Sequence, residues 1–232
     1  KADWDNHKLT CVPVNVVAKL VYKMSSVVLD DDKDALMLLI EKHPNVLCNI
    51  EGYAPLHAAA IHGRTEMTKL LLLNGADVNR SYDGGYTALL LASEKGHVDI
   101  VKVLLEAGAD VCCSDSSIGY PALTCASRDG YVDIVKILLE AGADVNNASS
   151  INGYTALNCA SEKGHVDIVK LLLEAGADVK LGRSFDKYPA LMCASRDGYV
   201  DIVKLLLEAG ADVNNASTVD GFTALNCASE MG

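Results

Sequence analysis

Residues 153–186 read GYTALNCASEKGHVDIVKLLLEAGADVKLGRSFD, and this stretch decides the fold. Thr155 is a hydroxyl residue just before a helical run, where its oxygen can accept from an orphan backbone N–H. Ala156 to Lys163 reads as a short helix, with the small residues Ala156, Cys159 and Ala160 on its packed side. Gly164 stops it with the left-handed turn that helix ends favour. A second helix opens at His165-Val166-Asp167, with Asp167 in the first turn where negative charge is favoured. Val166, Val169, Leu172 and Leu173 follow helical spacing and are expected to form its buried stripe. Glu174-Ala175-Gly176 closes it, and the polar stretch after Val179 fits a hairpin loop.

The unit recurs. Tyr154-Thr155-Ala156-Leu157 is matched by Tyr86-Thr87-Ala88-Leu89, Tyr120-Pro121-Ala122-Leu123, Tyr188-Pro189-Ala190-Leu191 and Phe222-Thr223-Ala224-Leu225, each thirty-four residues apart. A fixed period of this length means a stacked array, because one helical hairpin cannot bury its own apolar face. Such an array makes a surface rather than, by itself, an active site.

The unit resembles the ankyrin repeat. The residues that carry the likeness are the Thr-Ala-Leu start, the Ala-Ser-x-x-Gly-His turn, the Val-Asp-Ile-Val-Lys-Leu-Leu-Leu stripe and the Gly-Ala-Asp-Val-Asn exit. They run from about Glu51 to Gly232, about six units with an early divergent start at Tyr53-Ala54-Pro55-Leu56-His57. The resemblance implies an all-α solenoid of stacked helix–turn–helix units with projecting hairpin fingers. It also implies protein binding on the concave side formed by fingers and first helices. The family usually reads Thr-Pro-Leu-His. Later units place Leu90, Thr124, Asn158, Met192 and Asn226 where that His would stand, removing the residue that normally gives a hydrogen-bond ladder between units. Pro121 and Pro189 replace the capping Thr, and proline suits a first helical turn.

Units alternate, so the full repeat is sixty-eight residues. Ser93-Glu94-Lys95-Gly96-His97 pairs with Ser161-Glu162-Lys163-Gly164-His165; Ser127-Arg128-Asp129-Gly130-Tyr131 pairs with Ser195-Arg196-Asp197-Gly198-Tyr199. Stacking the units gives the column Glu94, Arg128, Glu162, Arg196, Glu230, with Lys95, Asp129, Lys163, Asp197 beside it. Opposite signs then face each other across roughly 10 Å. The expected outcome is self-satisfied surface pairs worth about 0–1 kcal/mol each rather than a charged binding strip.

The aromatic column is the sharper binding candidate: Tyr53, Tyr86, Tyr120, Tyr154, Tyr188 and Phe222 hold one position, and amphipathic rings make good anchors. Packing of each ring on a neighbouring finger is the competing reading. Apolar fingertip residues Ile118, Ile151, Phe185 and Val219 add a second, weaker signal. Cys125, Cys159, Cys193 and Cys227 recur with the unit and are expected in the core. Asn79, Asn146 and Asn214 follow Asp-Val, a context that asparaginyl hydroxylases can modify in ankyrin proteins; stabilising the finger turn is the simpler role.

Residues 1–49 read as an N-terminal segment with a divergent capping helix pair, Val14 to Met24 and Asp34 to Lys42, and residues 50–232 as the array. Met24-Ser25-Ser26 has the look of a chain start, which leaves residues 1–23 as native or foreign. The last unit stops after its first helix. That pattern is expected of a piece of a longer protein, or of an end that meets another molecule.

A formal net charge of −11 disfavours nucleic acid and anionic membranes and tolerates a basic partner. The eight cysteines form no C-x-x-C pair and no His cluster joins them, so neither a zinc site nor a disulfide framework is expected. No membrane span or secretory leader is legible. Cytoplasmic, or nuclear, residence follows as the expectation. No phosphate loop or nucleophile–base pair marks an enzyme, and no catalytic, cofactor or metal residue is assigned. The reading is a non-enzymatic scaffold or adaptor that docks a protein or peptide. The alternative is the regulatory or targeting part of a larger enzyme, channel or effector.

Overall fold

The computed structural model describes residues 14–43, 47, 54–82, 85–112, 120–150, 152–182, 188–219 and 221–230. Among them, thirteen helices alternate between two layers. The first pair is α1 (Val14–Leu29) and α2 (Lys33–Lys42), followed by α3 (Pro55–Ile61) and α4 (Thr65–Leu73). A two-stranded finger follows, β1 (Ser81–Tyr82) and β2 (Tyr86–Thr87), antiparallel with Ser81 opposite Thr87. Then come the pairs α5 (Ala88–Lys95) and α6 (Val98–Glu106), α7 (Ala122–Asp129) and α8 (Val132–Glu140), α9 (Ala156–Lys163) and α10 (Val166–Glu174), α11 (Ala190–Arg196) and α12 (Val200–Glu208). The last helix is α13 (Ala224–Glu230).

Odd-numbered helices form an inner layer in which each packs on the next; even-numbered helices form an outer layer and lie less closely together. The difference is set by side-chain size. Ala59, Ala92, Ala126, Ala160 and Ala194 are fully buried, and small residues let inner helices approach. The outer layer packs on longer side chains. In α10 the buried stripe is Ile168, Val169 and Leu172, while Val166 and Leu173 are only half-buried. The spacing of Val166, Val169, Leu172 and Leu173 traces one edge of the helix and leaves out Ile168. The buried face is rotated away from Val166 and Leu173 toward Ile168, which stacks with Leu172 at i, i+4 spacing.

Local signals explain the boundaries. Thr87 and Thr155 cap α5 and α9, each oxygen accepting from the N–H three residues on, at 3.2 and 3.3 Å. Gly96, Gly130 and Gly164 end α5, α7 and α9 in the left-handed region, with φ of 78°, 83° and 77°. Pro121 and Pro189 stand just before α7 and α11, in extended backbone, rather than in the first turn. The Pro121 carbonyl still accepts from Cys125 N–H at 3.0 Å, so the helix starts without a side-chain cap.

At the N-terminus α1 runs five residues beyond the expected Met24 end, to Leu29, because Met24 and Val28 are both needed on its buried side. Asp32 caps α2 by accepting from Ala35 N–H at 2.9 Å. Arg64 then ties this pair to the next unit, donating to Leu29 O at 2.7 Å. One apolar core runs without interruption from Met24 to Cys227.

Candidate interaction surface

The aromatic column is not uniform. Tyr86 is half-buried and stacks on Tyr82 at 5.5 Å, which in turn meets His57 edge-on at 4.8 Å. Tyr120 is half-buried, accepts from Asn152 Nδ2 at 2.6 Å, and lies under the Arg128 guanidinium at 5.9 Å. Tyr154 and Tyr188 are 9% and 7% exposed. The Tyr188 hydroxyl reaches Cys227 Sγ of the next inner helix at 3.0 Å, and burial pushes its pKa up. Phe222 is half-buried, and Val219 at the fingertip is 63% exposed. Tyr53, Ile118, Ile151 and Phe185 lie outside the described residues. One sequence position thus hosts two environments. Where the next inner helix closes on the ring, as Cys227 of α13 does on Tyr188, the ring is buried; Tyr86, Tyr120 and Phe222 stay half-buried.

The charged column finds most of its partners along the chain. Arg128 donates from Nε and Nη2 to both Asp129 oxygens at 2.9 and 2.8 Å, and Arg196 repeats this with Asp197. Both guanidinium pKa values rise, mainly through those hydrogen bonds. Lys95 pairs with Glu94 at 3.1 Å and Lys163 with Glu162 at 4.0 Å. Within the column, among the described residues, Arg196 Nη2 also reaches across units to Glu162 at 3.5 Å. Adjacent residues at a helix end reach each other more cheaply than long side chains spanning two helices, so neighbours in sequence win.

Two sets of contacts between units were not assigned from sequence. The first is at the turn. His97, Tyr131, His165 and Tyr199 each cover the preceding unit's glycine: a Cβ on Gly63, Gly96, Gly130 or Gly164 would lie 2.8, 2.5, 2.8 or 2.6 Å from the covering ring. His97 and His165 also donate from Nε2 to Ile61 O and Arg128 O, both at 3.0 Å. The alternation of His and Tyr after each turn glycine was the signal for this. The second set is in the fingers. Asn79 Oδ1 accepts from Asp110 N at 2.8 Å and its Nδ2 donates to Gly108 O at 3.3 Å; Asn146 does the same with Asp178 N at 2.8 Å and Gly176 O at 3.4 Å. Each amide staples its finger to the end of the next outer helix. Cys112 and Lys180 hold the equivalent position in alternate units.

The missing His ladder is partly rebuilt. His57 Nδ1 accepts from Ala54 N–H at 2.9 Å and Nε2 donates to Arg80 O at 2.9 Å. Asn158 copies both halves: Oδ1 accepts from Thr155 N–H at 3.0 Å and Nδ2 donates to Leu181 O at 3.1 Å. Thr124 does not, and its buried hydroxyl has no hydrogen-bond partner among the described residues. Burial holds His57 neutral, lowering its pKa from the usual 6.5, with the nearby Arg80 charge acting in the same direction and the bond to Arg80 O opposing. The unfolded chain therefore binds the proton more readily, and stability contributed here is fully present above pH 6.5 and falls as pH drops below it. His57→Asn is expected to keep the array folded and to flatten the melting temperature between pH 6.5 and 5 relative to wild type, checked by thermal melts across that range.

Cys125, Cys159, Cys193 and Cys227 are all buried, and Cys112 is exposed; none of these five is in a disulfide. Burial pushes the Cys125 and Cys159 thiols up to about 12, away from the reactive thiolate. Iodoacetamide at pH 8 is expected to modify Cys112 within minutes while Cys125 and Cys159 react only in denaturant, as read by mass mapping of the peptides. Equal rates would contradict the packed thiol column.

Among the described residues no group of His, Cys, Asp and Glu is arranged to hold a metal ion, and no helix is long and apolar enough to cross a membrane. A recess lined by Leu47, Ala54, Leu56 and Arg80 has room for only about 10 Å³, close to one water-sized sphere.

Stacked helical hairpins with projecting fingers, stapled unit to unit, define a helical-repeat solenoid. The family model described as ankyrin repeats matches in three copies, over residues 24–115, 112–183 and 179–232, and the chain belongs to the ankyrin-repeat family. No curated protein matches the chain. Ankyrin repeats are generally protein–protein interaction modules and are typically non-catalytic.

Proposed function

We propose that the array is a scaffold or adaptor that docks a protein partner on the side formed by its inner helices and fingers. The observation that supports this is the row of partly exposed side chains along that side. Tyr86, Tyr120 under Arg128, and the pairs Glu94–Lys95, Glu162–Lys163 and Arg196–Asp197 follow one another down the stack. The outer helices instead repeat a solvated pattern in which Lys170 and Lys204 pair with Asp167 and Asp201 at 3.7 and 3.6 Å. Tyr86, Tyr120 and Phe222 are the proposed anchors, with fingertip Val219 beside them. Tyr154 and Tyr188 are assigned to packing beneath. The net charge of −11 favours a partner with basic character, and the unbridged thiols suit a reducing compartment such as the cytoplasm.

The test is capture from a cytosolic lysate by wild type, by Tyr86→Ala/Tyr120→Ala, and by the outer-face variant Lys136→Glu/Lys170→Glu. The specific partner is expected to be lost about tenfold or more by the inner-side pair and kept by the outer pair, each normalised to folded protein. Loss confined to the outer variant would move the docking face to the other layer.

A further inference from the structure

We propose that the array is built of two-unit blocks, α3–α6 and α7–α10, each of which opens as a whole, with a seam after each block. Two kinds of directional contact carry this, and both fall at the same interfaces. The α5–α6 unit is joined to α3–α4 by His97 Nε2, which donates to Ile61 O at 3.0 Å. It is joined again by the Asn79 carboxamide, which meets Asp110 N at 2.8 Å and Gly108 O at 3.3 Å. The α9–α10 unit is joined to α7–α8 in the same way. His165 Nε2 donates to Arg128 O at 3.0 Å, and the Asn146 carboxamide meets Asp178 N at 2.8 Å and Gly176 O at 3.4 Å. In each case the histidine stands just before an outer helix and the stapled backbone just after it. Both ends of α6 and of α10 are therefore pinned to the preceding unit.

The intervening interfaces are built differently. There the residue before the outer helix is Tyr131 or Tyr199, and the finger position is Cys112 or Lys180. The tyrosines cover Gly96 and Gly164 through ring carbons, 2.5 and 2.6 Å from where a Cβ would stand. An ammonium has no acceptor and a thiol is weak in both roles, so neither copies the carboxamide staple. The apolar core runs on through these interfaces, which are packed but not pinned at both ends. Arg196 reaches Glu162 across the second seam at 3.5 Å, but a part-exposed pair of long side chains adds little. In a repeat array, cooperative opening follows the stronger of the nearest-neighbour interfaces, so paired units open together. The sixty-eight-residue alternation in the sequence is the trace of this pairing. The division into blocks stands independently of which side docks a partner.

The test is backbone amide exchange, resolved by NMR, in the full chain carrying Leu138→Ala in α8, where Leu138 is fully buried. Helices α6 and α10 lie one unit to either side of α8, so packing alone predicts equal spread of the damage. Protection in α10 is expected to fall about tenfold or more, and in α6 by less than about threefold. Where Leu138→Ala leaves too little folded chain, Ile134→Val makes the same comparison, with smaller losses in the same order. Adding Cys112→Asn and Tyr131→His supplies the seam with the groups found inside a block. The loss in α6 is then expected to rise to that in α10. Equal spread to α6 and α10 without those two changes overturns the proposal, and so does spread that favours α6. A seam that the two changes leave unaltered overturns it as well, because the named contacts would then not be what pairs the units.

Discussion

Gly164→Ala is expected to lower the unfolding free energy by about 2–4 kcal/mol, and Gly198→Ala by only about 1–2 kcal/mol. Both glycines are left-handed, with φ of 77° and 75°, so the backbone cost of an L side chain is common to both. They differ in what lies above them. A Cβ on Gly164 would stand 2.6 Å from Tyr199 Cε1, and the ring would have to leave the contact that joins one unit to the next. A Cβ on Gly198 would meet nothing within 4 Å among the described residues. Urea unfolding of the two variants measures the difference. Equal losses would show that the Tyr199 contact contributes little to stacking.

Leu157→Ala should cost about 2–5 kcal/mol, the range for removing a buried leucine and leaving a cavity. Leu225→Ala, at the same place in its unit, should stay within about 0.5 kcal/mol. Leu157 is 1% exposed and Leu225 is 76% exposed. For a chain of this length each kcal/mol shifts the melting temperature by about 2–4 °C, so the two variants separate clearly in a thermal scan. Comparable shifts would mean that α13 is covered in solution.

The units themselves were legible because each signal is local. Thr155, Gly164 and the apolar spacing of α10 act within a few residues, and a period of thirty-four repeats them until chance is excluded. The departures were harder to read. Asn158 looked like the loss of a histidine, yet a carboxamide carries one acceptor and one donor at nearly the same reach and restores both bonds. Thr124 and Met192 have no such pair of groups. The column of six aromatics gave one signal for two situations, since exposure depends on how a finger closes on the next inner helix. Tyr188 meets Cys227 thirty-nine residues away, and that meeting is not written in either local segment.

From sequence alone came the period, the helix ends, the alternation of two unit classes and the burial of the cysteine column. All of these follow from propensity, capping and spacing within one hairpin. Only the tertiary structure decided which rings face outward, which charges pair, and which groups join unit to unit. Those outcomes depend on distances between segments some thirty residues apart, where the same residue type can be packed, stapled or open according to what the neighbouring unit places against it.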